Sequence, residues 1–181
     1  MKTNKMKILN VEKTYQAHVF DVAKVFCELP DGKQLYYDLV QHGPGVVLVP
    51  VTEEGNILFV KQYRLGAEKE ILELPAGMVN DHEDPDPAAA RELREETGYE
   101  SMNMTKLGGF YASAGYCSEY LNIYLARDLK WNPLPQDDDE FLSIITMTIE
   151  EAYQAVETGV LEDSKTIAAL LMAQKYIRKC C

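Results

Sequence analysis

Apolar and polar positions follow a strand-like rhythm through the first forty residues. Residues 14–17, 20–28 and 34–40 read as strands, the last two joined by the turn Leu29-Pro30-Asp31-Gly32-Lys33. The first ten residues are basic and polar and are expected to be disordered. This stretch holds too few apolar residues for a core of its own, so it is expected to pack on the rest of the domain or on a second subunit. His42-Gly43-Pro44-Gly45 breaks the pattern, and residues 46–51 then form a nearly continuous β-branched run, as a buried central strand requires. Glu53-Glu54-Gly55-Asn56 turns the chain into a strand over 57–64, and a loop leads to a short strand over 71–74. Further strands are expected over 106–112, 120–126 and 141–148. Thr148 with Glu151 forms a capping box for a helix running to about residue 157 and stopped by Gly159. Asp163 or Ser164 opens a last helix whose apolar stripe is Ile167, Leu170, Leu171 and Ile177. Strands and helices alternate without a regular β-α-β rhythm, which favours a mixed sheet between helices.

The period changes to 3.6 between residues 87 and 97. Asp86 is the expected N-cap, Pro87 the first helical residue, Ala88 to Ala90 are strong helix formers, and Gly98 is the stop. Ala89, Ala90, Leu93 and Thr97 should share one face, with Glu92, Glu95 and Glu96 on an adjoining arc. These carboxylates lie in the last two turns, where the helix dipole disfavours anions, and they repel one another at i,i+3 and i,i+4. Local stability does not explain the arrangement. A hard divalent cation would, because it takes oxygen ligands and turns the repulsion into coordination; for the Arg-Glu-Leu-x-Glu-Glu run taken alone, a solvated acidic helix face is the other reading.

Charge narrows the partners. The 181 residues, enough for one ordinary domain, carry a net charge of −11, so no nucleic-acid or anionic-membrane partner is expected, since either needs a basic patch, while small anions bridged by metal ions are left. No apolar run approaches the ~20 residues of a membrane span and no secretion leader is evident, so the expected location is cytoplasmic. Cys27, Cys117, Cys180 and Cys181 match no zinc or disulfide pattern.

The order Gly77, five residues, Glu83, seven residues, then Arg91-Glu92-Leu93-Arg94-Glu95-Glu96-Thr97-Gly98 resembles the Nudix box. Tyr99 stands where that box has an aliphatic residue. Gln62-Tyr63-Arg64, Glu73-Leu74-Pro75-Ala76-Gly77, Ser113-Ala114-Gly115 with Glu119, and Asp139-Glu140-Phe141 are similar to the ADP-ribose pyrophosphatase branch of that family. The likeness covers about residues 8–178. Ala114 replaces the proline usual in the branch, which bears on the nucleoside rather than on the chemistry.

The resemblance implies an α/β/α sandwich around a mixed sheet, with a small N-terminal β module over 1–42 as a dimerisation element and a hydrolase domain over 43–181. It implies Mg²⁺, with Mn²⁺ as a substitute, held by Glu92, Glu95, Glu96 and the Ala76 carbonyl. Glu83 and Arg91, with Gly77 and Gly98, would be structural. Arg64, Glu73, Ser113, Gly115 and Glu119 would contact substrate. Glu140 would be the general base, with Asp137, Asp138 and Asp139 as alternatives within reach. The implied reaction is hydrolysis of a nucleoside diphosphate derivative, ADP-ribose to AMP and ribose 5-phosphate, by a homodimer. Its alternatives are a GDP-mannose or other nucleotide-sugar pyrophosphatase and, from another class, a non-hydrolysing ADP-ribose sensor. A sensor would show degraded metal carboxylates or an attached DNA-binding domain, and this sequence has neither.

Overall fold

Three strands, β1 (Lys7–Gln16), β2 (Phe20–Glu28) and β3 (Gln34–His42), form an antiparallel meander in sequence order. The structure is a computed structural model and describes residues 5–136 and 141–177. The meander, with residues Tyr111–Tyr120, makes one compact unit, and Pro44–Phe110 with Leu121–Cys181 makes a second. In the first unit β2 alternates, burying Ala23, Val25 and Cys27 beneath Leu39. All ten residues of β1 are exposed, including Ile8, Val11 and Tyr15. The segment after Tyr111 is tied to β3, because Val40 N–H donates to Tyr116 O at 2.7 Å and Ser118 N–H to Val40 O at 3.0 Å.

The second unit is built on β4 (Gly45–Pro50), whose six residues are all buried. The elements that follow are β5 (Asn56–Arg64), β6 (Lys69–Glu73), β7 (Ala76–Met78), α1 (Pro85–Thr97), β8 (Tyr99–Tyr111), β9 (Tyr120–Trp131), β10 (Leu142–Thr148), α2 (Ile149–Glu157) and α3 (Ser164–Ile177). One sheet runs β7-β4-β9-β8 and a second β10-β5-β6. β4 pairs antiparallel with β7 and parallel with β9, which makes the first sheet mixed.

Alternation along β4 and β9 divides the core into two layers. Val47, Val49, Leu121, Ile123 and Leu125 pack with residues of α2 and α3, while Val46, Leu48, Tyr124 and Ala126 pack with Ala88, Ala89 and Leu93 of α1. Helices thus lie on both faces of the sheet, the α/β/α arrangement the sequence led us to expect.

Several local expectations are corrected. β1 begins at Lys7, so residues 7–10 are strand rather than disordered leader. Helix α1 starts at Pro85 with Asp84 at the N-cap, two residues early, because Pro85 takes the first-turn position and Asp86 accepts a 2.6 Å hydrogen bond from the Tyr124 hydroxyl instead of capping. Ala90 is exposed and Ala88 buried, so the packed stripe sits one residue earlier than drawn. Leu171 is 67% exposed, and the buried face of α3 is Thr166, Ala169, Leu170, Ala173 and Ile177. β8 extends back to Tyr99, and the short β7 was not foreseen. The capping box of α2 is present, with Thr148 and Glu151 bonded reciprocally.

Gly98 ends α1 at φ 77°, where its N–H donates to Arg94 O. A Cβ there would lie 2.4 Å from the Trp131 ring, which packs edge-on against Tyr99 at 5.3 Å. A large aromatic is therefore accommodated after the glycine. Among the described residues, no helix is long and apolar enough to cross a membrane.

Candidate active site

The buried stripe of α1 carries carboxylates. Ala88, Ala89, Glu92, Leu93, Glu96 and Thr97 are all buried, so Glu92 and Glu96 belong to the packed face rather than to a solvated arc beside it. Their side of the helix meets the β6–β7 connection. Ala76 N–H donates to Glu96 Oε2 at 2.8 Å, and a Cβ at Gly77 would fall 2.0 Å from Glu92 Cδ. Only glycine lets that backbone approach the Glu92 carboxylate.

Arg91 gathers the charges around this contact. Its Nε and Nη2 donate to Glu83 Oε1 and Oε2 at 3.2 and 3.0 Å, Nη1 donates to Glu92 and Glu95 at 2.7 and 2.8 Å, and Nη2 also donates to the Met78 carbonyl. Arg91 hydrogen bonding holds the Glu83 carboxyl below the usual carboxylate range, and the three carboxylates push the guanidinium pKa up. Glu83 Oε2 also accepts from Asn80 N–H, so the loop before α1 is tied to the helix. Glu92 and Glu95 are turned to Arg91 and Glu96 to Ala76. Among the described residues, no three Asp, Glu, His or Cys side chains converge as a preformed metal cage.

A second cluster lies at the end of β5. Arg64 Nε and Nη2 donate to Glu73 Oε1 and Oε2 at 2.8 and 2.7 Å, a bidentate pair, and Lys165 Nζ donates to Oε2 at 2.5 Å. The Glu73 side chain is 2% exposed and that of Arg64 43%. Burial pushes the Glu73 carboxyl up, but Arg64 and Lys165 outweigh it and hold it below the usual range. Lys165 also lies 3.0 Å from Asp163 Oδ2, and that oxygen accepts from Thr166 N–H at the start of α3. Thr166 Oγ1 accepts from Leu74 N–H at 2.8 Å.

The structure thus joins Glu73, Ala76, Gly77, Glu83, Arg91, Glu92, Glu95, Glu96 and Arg64 through one loop and its neighbours. Gly98 lies at the far end of α1. Ser113, Gly115 and Glu119 lie in the first unit. Ser113 O accepts from Tyr116 and Cys117 N–H in a turn, Gly115 is exposed, and Glu119 Oε1 lies 3.9 Å from His42 Nδ1. Glu140 and its alternatives Asp137, Asp138 and Asp139 lie outside the described residues, as do Cys180 and Cys181. Lys165 and Thr166 were not singled out from the sequence. The available signal was a cation in the first turn of α3, where the dipole disfavours it.

With this geometry in hand, similarity to known proteins is informative. The NUDIX domain family model matches residues 41–170. The chain is 36% identical over 176 residues to the ADP-ribose pyrophosphatase of Bacillus subtilis (strain 168), covering 96% of this chain and 95% of that protein. It is 37% identical over 170 residues to the methanol dehydrogenase activator of Bacillus methanolicus, covering 93% and 92%. A solved structure of an ADP compounds hydrolase matches with a TM-score of 0.85 and 26% identity, covering 95% of this chain and 94% of that one.

The charge state of Glu73 makes stability pH-dependent. Its folded pKa lies below the reference value of 4.5, so the contribution is fully present above that pH and is lost as pH falls through the folded value. Glu73→Gln should cost about 3 kcal/mol at pH 7, because two cations lose a buried anionic partner. Urea unfolding from pH 7 to 3 should show the gap to wild type narrowing below pH 4.5. A gap independent of pH would show that packing rather than charge carries the effect.

Proposed function

The chain belongs to the NUDIX family and is a Nudix hydrolase, and from that premise we propose that it hydrolyses ADP-ribose to AMP and ribose 5-phosphate with Mg²⁺. The observation that carries this reading is the approach of the side-chain-free backbone at Gly77 to the buried Glu92, beside Glu96. The near full-length likeness to a pyrophosphatase named for ADP-ribose supports the substrate.

The donor set suits a hard cation. Glu92, Glu95, Glu96 and the Ala76 carbonyl offer only oxygen, and the missing side chain of Gly77 lets the Glu92 carboxylate lie directly against the backbone. These residues would hold Mg²⁺, with Mn²⁺ as a substitute. Bound there, the ion would neutralise the pyrophosphate and lower the pKa of the attacking water. The chain's own residues do the rest. Arg64, oriented by Glu73, binds an anionic or polar group of the substrate through its exposed side. Glu140 accepts the proton of the water that attacks phosphorus while the bridging P–O bond breaks. Arg91 and Glu83 hold the loop against α1 so that Ala76 and Gly77 stay in register with Glu92 and Glu96.

A hydrolysis screen with Mg²⁺ over ADP-ribose, GDP-mannose and other nucleotide sugars, dinucleoside polyphosphates and nucleoside triphosphates tests the substrate. ADP-ribose should give the highest kcat/KM. A nucleotide sugar in that place would replace ADP-ribose, and binding without turnover would favour a sensor. Glu96→Gln should lower kcat by at least ~10²-fold with an unchanged or slightly higher Tm without metal, since it removes a charge from a repelling set. Near-normal turnover at saturating Mg²⁺ would remove Glu96 from the ligand set.

Binding and proton transfer should separate in two variants. Arg64→Ala should chiefly raise KM, whereas Glu140→Gln should lower kcat by ~10² to 10⁴ with KM within a few-fold. If Glu140→Gln keeps its kcat and a change at Glu119 or Asp137 to Asp139 abolishes it, the base is that residue.

The β module over 1–42 is the proposed dimer element, on the strength of the exposed Ile8, Val11 and Tyr15 of β1. Sedimentation at micromolar concentration should give a dimer. A monomer whose activity survives removal of residues 1–42 rejects it.

A further inference from the structure

Lys165 has no role in the chemistry described so far, yet its side chain is only 17% exposed and reaches two carboxylates. Local helix stability does not account for it, because a cation in the first turn opposes the dipole of α3. Its position matters through Glu73. That carboxylate engages Arg64 with both oxygens, so Arg64 alone against Glu73 is a neutral pair with no net charge left to attract an anion.

Asp163 adds a second negative charge, and Glu96 lies within the electrostatic reach of Arg64. Without Lys165, one cation would face all three carboxylates. With Lys165 on Glu73 Oε2 and on Asp163, a second cation offsets those two, and the excess negative charge about Arg64 falls from two to one. The Arg64 guanidinium is then fixed by the carboxylate without being cancelled by it, and among the described residues its hydrogen bonds to side chains use only Nε and Nη2.

We propose that Lys165 is a positioning residue for substrate binding, which shares the charge of Glu73 and so leaves Arg64 able to attract the diphosphate of the substrate. The assignment rests on the hydrolase reading above only for the identity of that substrate. It also links the two ends of the site, because Thr166, the next residue, holds Leu74 N–H and thereby the loop that carries Ala76 and Gly77.

The test uses the full chain and the variants Lys165→Gln, Lys165→Arg, Arg64→Ala and the double variant Lys165→Gln/Arg64→Ala. Lys165→Gln keeps a donor to Glu73 but loses the charge, and Lys165→Arg keeps both. Calorimetric binding of inorganic pyrophosphate at fixed Mg²⁺ reads anion affinity without turnover, and steady-state kinetics on ADP-ribose separate KM from kcat. Lys165→Gln should weaken pyrophosphate binding and raise KM by about 10-fold with kcat within two-fold, and Lys165→Arg should restore both. The double variant should be little worse than Arg64→Ala alone, because Lys165 acts through Arg64. Wild-type affinity for pyrophosphate in Lys165→Gln, or full additivity in the double variant, overturns the proposal. A wild-type chain that binds pyrophosphate but hydrolyses no nucleoside diphosphate derivative overturns the functional reading instead, and the pyrophosphate series still decides the role of Lys165.

Discussion

The constraint on which the second unit turns is the burial of two glutamates against bare backbone. Glu92 and Glu96 sit on the packed stripe of α1, 7% and 2% exposed. A buried, unpaired carboxylate costs several kcal/mol, so partners must be built into the surroundings. Ala76 N–H meets Glu96, and Arg91 meets Glu92. The first of these fixes where β7 lies, and β7 is held from the other side by β4, through the Val47 and Ala76 register and the Leu48 N–H to Pro75 O bond. The central strand, the loop and the acidic helix therefore position one another. At Gly77 the first carbon of any side chain would force the Glu92 carboxylate to move.

The junction of β6 and β7, residues 73–77, is gripped from both helical layers. α1 holds it through Glu96, and α3 holds it through Lys165 on Glu73 and Thr166 on Leu74. Each grip uses a residue that its own helix would not select, anions in the last turns of α1 and a cation in the first turn of α3. Unfavourable local choices that coincide at one loop are what a site requires and what a purely structural contact does not.

Much of the fold could be read from residue pattern, and the failures have physical causes. The strand of β4 announced itself by a run of β-branched residues, and Thr148 with Glu151 marked α2 because a capping box is local chemistry. Boundaries set by tertiary contact were missed. Asp86 looks like a cap until Tyr124 is placed against it, and burial together with the Asp86 carboxylate pushes the Tyr124 phenol well above its ordinary range. Leu171 reads as core because periodicity alone does not say which arc of α3 faces the sheet. In the site, the spacing from Gly77 to Glu96 fixed which residues to watch, but not that Arg91 would hold Glu92 and Glu95 while Glu96 turned elsewhere. The contact of Lys165 with Glu73 spans 92 positions, and no short-range pattern carries it.

Charge decides how such a chain can handle an anion. At a net −11 its long-range field repels phosphate, so attraction has to be local and built from few cations. Arg91 does not supply it, because one guanidinium already faces Glu83, Glu92 and Glu95. Arg64 is the better placed cation, 43% exposed and held rigid by a carboxylate that a second cation also engages. Rigidity has value here because a fork already oriented loses little entropy when it takes a further partner. The two clusters thus differ. Around Arg91 three carboxylates face one guanidinium, while around Arg64 a second cation, Lys165, shares Glu73 and Asp163 and the Arg64 side chain stays 43% exposed, so only the second cluster presents an exposed cation.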